Sequence, residues 1–167
     1  MNPPMMNLPK YVPPATTVRA LIAQHARTQP DAVFAMFPET QAELSYKALE
    51  QEVQQYAAQF YALGLAQGDT VSYMMGNGRS ALVLFLSALY AGLIVSPLNP
   101  AAGPEQITYV LQHSDTKLVF VSPNFKAVVD QAQSASAIAI PTVECDEDCG
   151  PVWPQASVSA IKLVPIE

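Results

Sequence analysis

The chain has 167 residues, half of them apolar, and a formal charge of −6 from 14 acidic and 8 basic side chains. That composition excludes a disordered chain, and the length is enough to bury a core. The Lys and Arg residues are scattered, which excludes the electrostatic footprint of a nucleic-acid or anionic-lipid binder.

Residues 1–14, MNPPMMNLPKYVPP, carry five prolines and lack the apolar core of a signal peptide. They read as an extended leader, leaving 15–167 as one α/β subdomain. TTVRALIAQHARTQPD predicts a first helix, with Thr16 or Thr17 as N-cap and Val18, Leu21 and Ile22 on its apolar face. Pro30 forbids its continuation. AVFAMF, PETQ and AELSY predict two short strands around a turn. Ser45 is placed to cap a second helix, in which Leu49, Val53, Tyr56, Phe60 and Leu63 recur every three or four residues. Gly64 closes it in the left-handed conformation.

Gln67-Gly68-Asp69 turns the chain into the strand TVSYMM. Gly76-Asn77-Gly78 then leads to a helix from about Ser80 to Ala91. Its small residues Ser80, Ala81, Ser87, Ala88 and Ala91 suit close approach to a sheet, with Leu82, Phe85, Leu86 and Leu89 expected to bury the rest. No charge occurs between Arg79 and Glu105, and residues 80–98 approach the length of a membrane span, about 20 apolar residues. Gly92, Pro97 and Pro100 divide that run into a buried helix and LIVS, expected as an inner parallel strand covered on both faces. PEQITYVLQHS (a helix opened by Pro104), KLVFV (strand), FKAVVDQAQ (helix) and AIAIPTV (strand) continue the alternation. Such spacing predicts right-handed βαβ units and an open, doubly wound, mostly parallel sheet with helices on both faces. Residues 144–157 read as a surface loop, and VSAIKLVPIE as a last strand.

The chemistry-bearing residues are sparse. Cys145 and Cys149 in ECDEDCG lack the second Cys or His pair of a zinc site, so an exposed acidic loop is expected. Two cysteines are too few for a disulfide framework, and the cytoplasm is the expected compartment. His25 and His113 each stand alone on a helix and read as surface residues. Gly76-Asn77-Gly78 lies between a strand and a helix, where amides can hold an anion. It lacks the lysine of a phosphate loop and reads as a tight turn. No nucleophile elbow or dinucleotide fingerprint occurs, and no catalytic, cofactor-binding or metal-binding residue is assigned.

Four motifs stand in order along the chain: Leu44-Ser45-Tyr46 with Leu49, LGLAQGD at 63–69, Asn77 opening a loop, and Leu89 to Pro100 with its Ala-Gly-x4-Pro-Leu-Asn-Pro pattern. Together they resemble the amino-terminal region of the adenylate-forming (AMP-binding) superfamily, the acyl-CoA synthetases in particular. Gly78-Arg79 departs from the family's usual pair after that Asn. PEQITYVLQHSDTKLVF is similar to the helix and strand that follow, so the resemblance covers residues 17–123. It implies a partial subdomain of a larger ligase, ending before the phosphate loop and inactive alone. The parent would join a carboxylic or fatty acid to CoA with ATP and Mg2+, giving acyl-CoA, AMP and pyrophosphate. None of these ligands is expected on this chain. The expected partner is the rest of the ligase, or a second copy through exposed apolar surface; no nucleic acid and no transmembrane span are expected. Two alternatives stay open: a naturally truncated interaction module, and the start of a peptide-synthetase adenylation domain.

Overall fold

The computed structural model describes residues 17–136 and 139–154. The leader and VSAIKLVPIE lie outside the described residues. Helix α1 spans Val18–Thr28, and Thr17 Oγ1 caps it by accepting the Ala20 amide at 3.1 Å. Strands β1 (Val33–Phe37) and β2 (Ala42–Ser45) form an antiparallel hairpin separate from the main sheet. Ser45 Oγ accepts the Ala48 amide at 3.2 Å and opens α2, Tyr46–Ala62. Leu49, Val53, Tyr56 and Phe60 are buried on one face of α2, while Leu63 is half-buried. Gly64 follows at φ +86°, where a side chain would be strained.

The main sheet contains β3 (Thr70–Met74), β4 (Ile94–Pro97), β5 (Thr116–Val121), β6 (Thr142–Asp146) and β7 (Gly150–Pro151). Their spatial order is β4-β3-β5-β6-β7; the first four are parallel and β7 runs antiparallel to β6. Helices α3 (Arg79–Ala91), α4 (Pro104–His113) and α5 (Lys126–Ser136) connect them. On β5, Leu118 and Phe120 enter one apolar cluster with Phe60, Leu84 and Val71. Val119 and Val121 enter another with Ile107, Leu111 and Val129. A two-residue alternation with both sides buried means that helices cover both faces. The last carbonyls of α3 are served by neighbouring helices: Tyr90 O accepts from Arg19 Nε at 2.9 Å, and Ala91 O from Tyr61 Oη at 2.7 Å.

Three expectations need correction. LIVS is parallel to β3, but it is an edge strand with Ile94 55% exposed. The connection through α4 crosses back over β3, so β5 takes the far side and β4 gains no second neighbour among the described strands. On α3 the buried residues are Ser80, Val83, Leu84, Ser87, Ala88, Tyr90 and Ala91, while Leu82, Phe85, Leu86 and Leu89 are only partly buried. Close packing through the small residues turns the helix by one step relative to the face expected from its largest side chains. Finally, β6 begins after Pro141 and extends through Glu144, Cys145 and Asp146, residues read from sequence as loop. Val143 and Cys145 alternate inward there, and the acidic side chains on the other face disguised the strand.

The charge-free run resolves into α3 and β4, separated at Gly92 with φ +74°. Among the described residues no helix is long and apolar enough to cross a membrane.

Candidate functional site

In open parallel sheets, ligands bind outside the carboxyl ends of the strands, where the winding reverses. Here the reversal lies between β3 and β5. The chain leaves β3 through Met75 and Gly76-Asn77-Gly78 into α3, and leaves β5 at Ser122, whose amide bonds Met74 O at 3.0 Å. Three donors meet one residue from the β6–β7 turn. The Gly76 amide donates to Glu147 Oε1 at 3.0 Å and Ser122 Oγ donates to the same oxygen at 3.2 Å. The Ser80 amide donates to the Glu147 carbonyl at 2.9 Å.

This approach requires glycine at 78 and leaves little room at 76. A Cβ on Gly76 would lie 3.0 Å from both Glu147 carboxylate oxygens, and one on Gly78 only 2.6 Å from the Glu147 carbonyl oxygen. The tight turn expected at 76–78 is thus also an anion-facing loop, and the anion is the chain's own. Glu147 and Ser122 were not singled out in the sequence. The signal that could have found Glu147 is an acid directly after a strand, at the carboxyl end of a sheet whose winding reverses nearby.

ECDEDCG divides between surface and core. Asp146 Oδ1 accepts the amides of Asp148 at 2.9 Å and Cys149 at 2.8 Å, and these bonds hold its carboxyl below the usual range. Cys149 is exposed, and the hydrogen bond and charge of Asp146 raise its thiol. Cys145, expected in an exposed loop, is fully buried. Burial first, then the Asp146 charge, push its thiol up to about 12, with the Ser80 hydroxyl acting the other way. Beside it, burial also raises the Tyr56 phenol, with the Cys145 and Glu52 charges adding and Arg79 opposing. Arg79, the first residue of α3, is ion-paired with Glu52 of α2.

His25 stacks on Tyr46 at 4.8 Å and His113 on Tyr109 at 4.0 Å, each within its own surface patch. Among the described residues, no group of three or more His, Cys, Asp and Glu has metal-binding geometry. The crevice donor set does not fit Mg-ATP: two donors already serve a carboxylate, whose charge would repel a triphosphate, and the nearby guanidinium is paired. A second feature is an apolar groove of about 520 Å3 between the Pro-Leu-Asn-Pro turn and α4, lined by Pro97, Leu98, Ala102, Ile107, Tyr109 and Val110. Tyr109 is 62% exposed.

The family model of the AMP-binding enzymes matches residues 22–160. This chain belongs to that family. It is 32% identical over 151 residues to a sulfoacetate–CoA ligase of Cupriavidus necator, covering 89% of this chain and 30% of the ligase. It is 29% identical over 136 residues to the uncharacterized protein Rv1549 of Mycobacterium tuberculosis, covering 81% of this chain and 75% of that protein. Its fold superposes on the crystal structure of the N-terminal domain of FACL13 from Mycobacterium tuberculosis with a TM-score of 0.72. Sequence identity there is 23%, over 80% of this chain and 35% of that one. The chain therefore spans about a third of that structure and of the sulfoacetate ligase, and most of Rv1549.

Proposed function

We propose that this chain is the first subdomain of an acid–thiol ligase that activates a carboxylic acid with Mg-ATP and passes the acyl group to CoA. The family match over 22–160 carries the reading. In the first half-reaction, a carboxylate oxygen attacks the α-phosphorus of ATP, giving acyl adenylate and releasing pyrophosphate. In the second, a thiolate displaces AMP. Both need donors for phosphate charge, which in this reading come from the remainder of the ligase. This subdomain supplies scaffold: the elements from Val18 to Pro151 provide the sheet and its helices. The open β4 edge, the groove beside Tyr109 and the partly buried Leu82, Phe85 and Leu89 are apolar surface of the kind a further subdomain covers. Without that cover the chain self-associates. A fatty acid is the proposed substrate class and the cytoplasm the proposed location.

The test is a chimera in which this chain replaces the matching segment of the Cupriavidus necator sulfoacetate–CoA ligase. Acid-dependent ATP–pyrophosphate exchange is expected to persist in the chimera and to be absent from the chain alone. A folded chimera without exchange would overturn the scaffold reading.

One observation favours a second reading, that of a stand-alone binding module: Rv1549 matches over three quarters of its own length. A stop codon directly after Glu167, with a monomeric chain in light scattering, would support that reading over the first.

A further inference from the structure

We propose that the β6–β7 turn is a strap across the switch-point crevice, and that the Glu147 carboxylate is its latch. The N-cap of α3 is Gly78, which has no side chain to satisfy the first amides of the helix, and no side-chain capping bond forms there. The strap supplies one of the missing acceptors, the Glu147 carbonyl for the Ser80 amide, and its carboxylate takes the Gly76 amide in the loop just before the helix, 71 residues away in the chain. Ser122, at the exit of β5, binds the same carboxylate oxygen. One residue, through its carboxylate and its carbonyl, thereby ties the ends of β3 and β5 to the start of α3.

Between its buried flanks, Cys145 and Gly150, the rest of the turn has little hold of its own. Asp146, Asp148 and Cys149 are exposed, and the Asp146 hydrogen bonds to Asp148 and Cys149 stay within the turn. Strand β7 is two residues long and pairs with β6. Lifting the strap uncaps α3 and frees the Gly76 amide and the Ser122 hydroxyl together.

Residue-resolved amide hydrogen exchange on the full chain tests it, comparing wild type with Glu147→Ala, Glu147→Gln and Ser122→Ala. In Glu147→Ala the Gly76 and Ser80 amides are expected to exchange together at least about tenfold faster, the factor one charge-assisted hydrogen bond provides. Amides of β5 that face β3, such as Leu118 and Phe120, should be unchanged. Sodium acetate should restore both protections in a saturable way, while sodium chloride at equal ionic strength should not. Glu147→Gln and Ser122→Ala should accelerate both amides by smaller factors. Acceleration of Gly76 with Ser80 still protected would overturn the proposal, since the turn would then stay down without the carboxylate. Equal acceleration across the sheet, or no rescue by acetate, would overturn it too. If Glu147→Ala fails to fold, the two milder variants decide: Ser80 protection unchanged in both refutes the latch.

Discussion

Phe120 offers the sharpest test of the packing. It sits on β5 with no solvent exposure, and its ring meets two others edge-to-face: Phe60 at 5.8 Å and 71°, and Trp153 at 5.7 Å and 78°. Trp153 also packs on Tyr56 at 5.2 Å and Phe60 at 5.9 Å. Phe120→Ala loses both the burial and the ring contacts, which for an enclosed phenylalanine costs about 3–5 kcal/mol. Phe120→Leu keeps most of the apolar area and gives up two aromatic pairs at about 0.5–1.5 kcal/mol each, so its expected cost is about 1–3 kcal/mol. Against a total stability of about 5–15 kcal/mol, both variants have room to remain folded. Urea unfolding followed by fluorescence reads the local and global events together, because Trp153 is the single tryptophan of the sequence. Far-UV circular dichroism checks that the transition is two-state. The ring-cluster argument fails if Phe120→Leu stays within about 0.5 kcal/mol of wild type with unchanged tryptophan emission. Loss of less than about 2 kcal/mol in Phe120→Ala would show that Phe120 is not enclosed.

Gly78→Ala places its Cβ 2.6 Å from the Glu147 carbonyl oxygen. It should cost about 1–3 kcal/mol in thermal or urea unfolding by displacing the strap's hydrogen bonds. Gly103→Ser is expected to stabilise by about 0.5–1 kcal/mol: the new Cβ meets nothing within 4 Å, the backbone is already at φ −78°, and serine caps α4. With iodoacetamide at mildly alkaline pH, the native chain should react at Cys149 and leave the buried Cys145 unlabelled until denaturant is added; peptide mass spectrometry reads the sites. The raised Cys145 pKa also gives a signed pH effect. Its neutral form is favoured in the fold, so the contribution is fully present below the unfolded thiol value of 9.0 and is lost as pH rises towards about 12. Cys145→Ala should therefore show a shallower fall in Tm over that range than wild type.

Local signals in the chain reported most of the frame. Thr17, Ser45, Gly64 and Gly92 act at helix ends where their chemistry requires, and the alternation of apolar runs yields the parallel βαβ order. What the local signals missed was relational. A run such as LIVS has the same composition at an edge as in the middle of a sheet, because its neighbours are chosen by the crossover through α4 and not by the strand. The facing of α3 depended on how closely α2 approaches, which hydrophobicity alone does not encode. The site was harder still. Glu147 is one of four acids in ECDEDCG, and its role exists only because β6 brings it beside Gly76 and Ser122. The Pro-Leu-Asn-Pro motif was legible as family ancestry, and the structure adds that its turn forms one wall of the apolar groove.

The two side chains that reach the end of α3 bear on how this molecule can flex. Because Arg19 and Tyr61 each fill a carbonyl that α3 cannot satisfy internally, sliding any one of the three helices would strip an acceptor of its donor. Helices α1, α2 and α3 consequently travel as a single slab. On the opposite face α4 is likewise tied to α5, the Thr108 hydroxyl donating to the Ala132 carbonyl at 2.8 Å, so each face of the sheet carries its helices as a coupled layer.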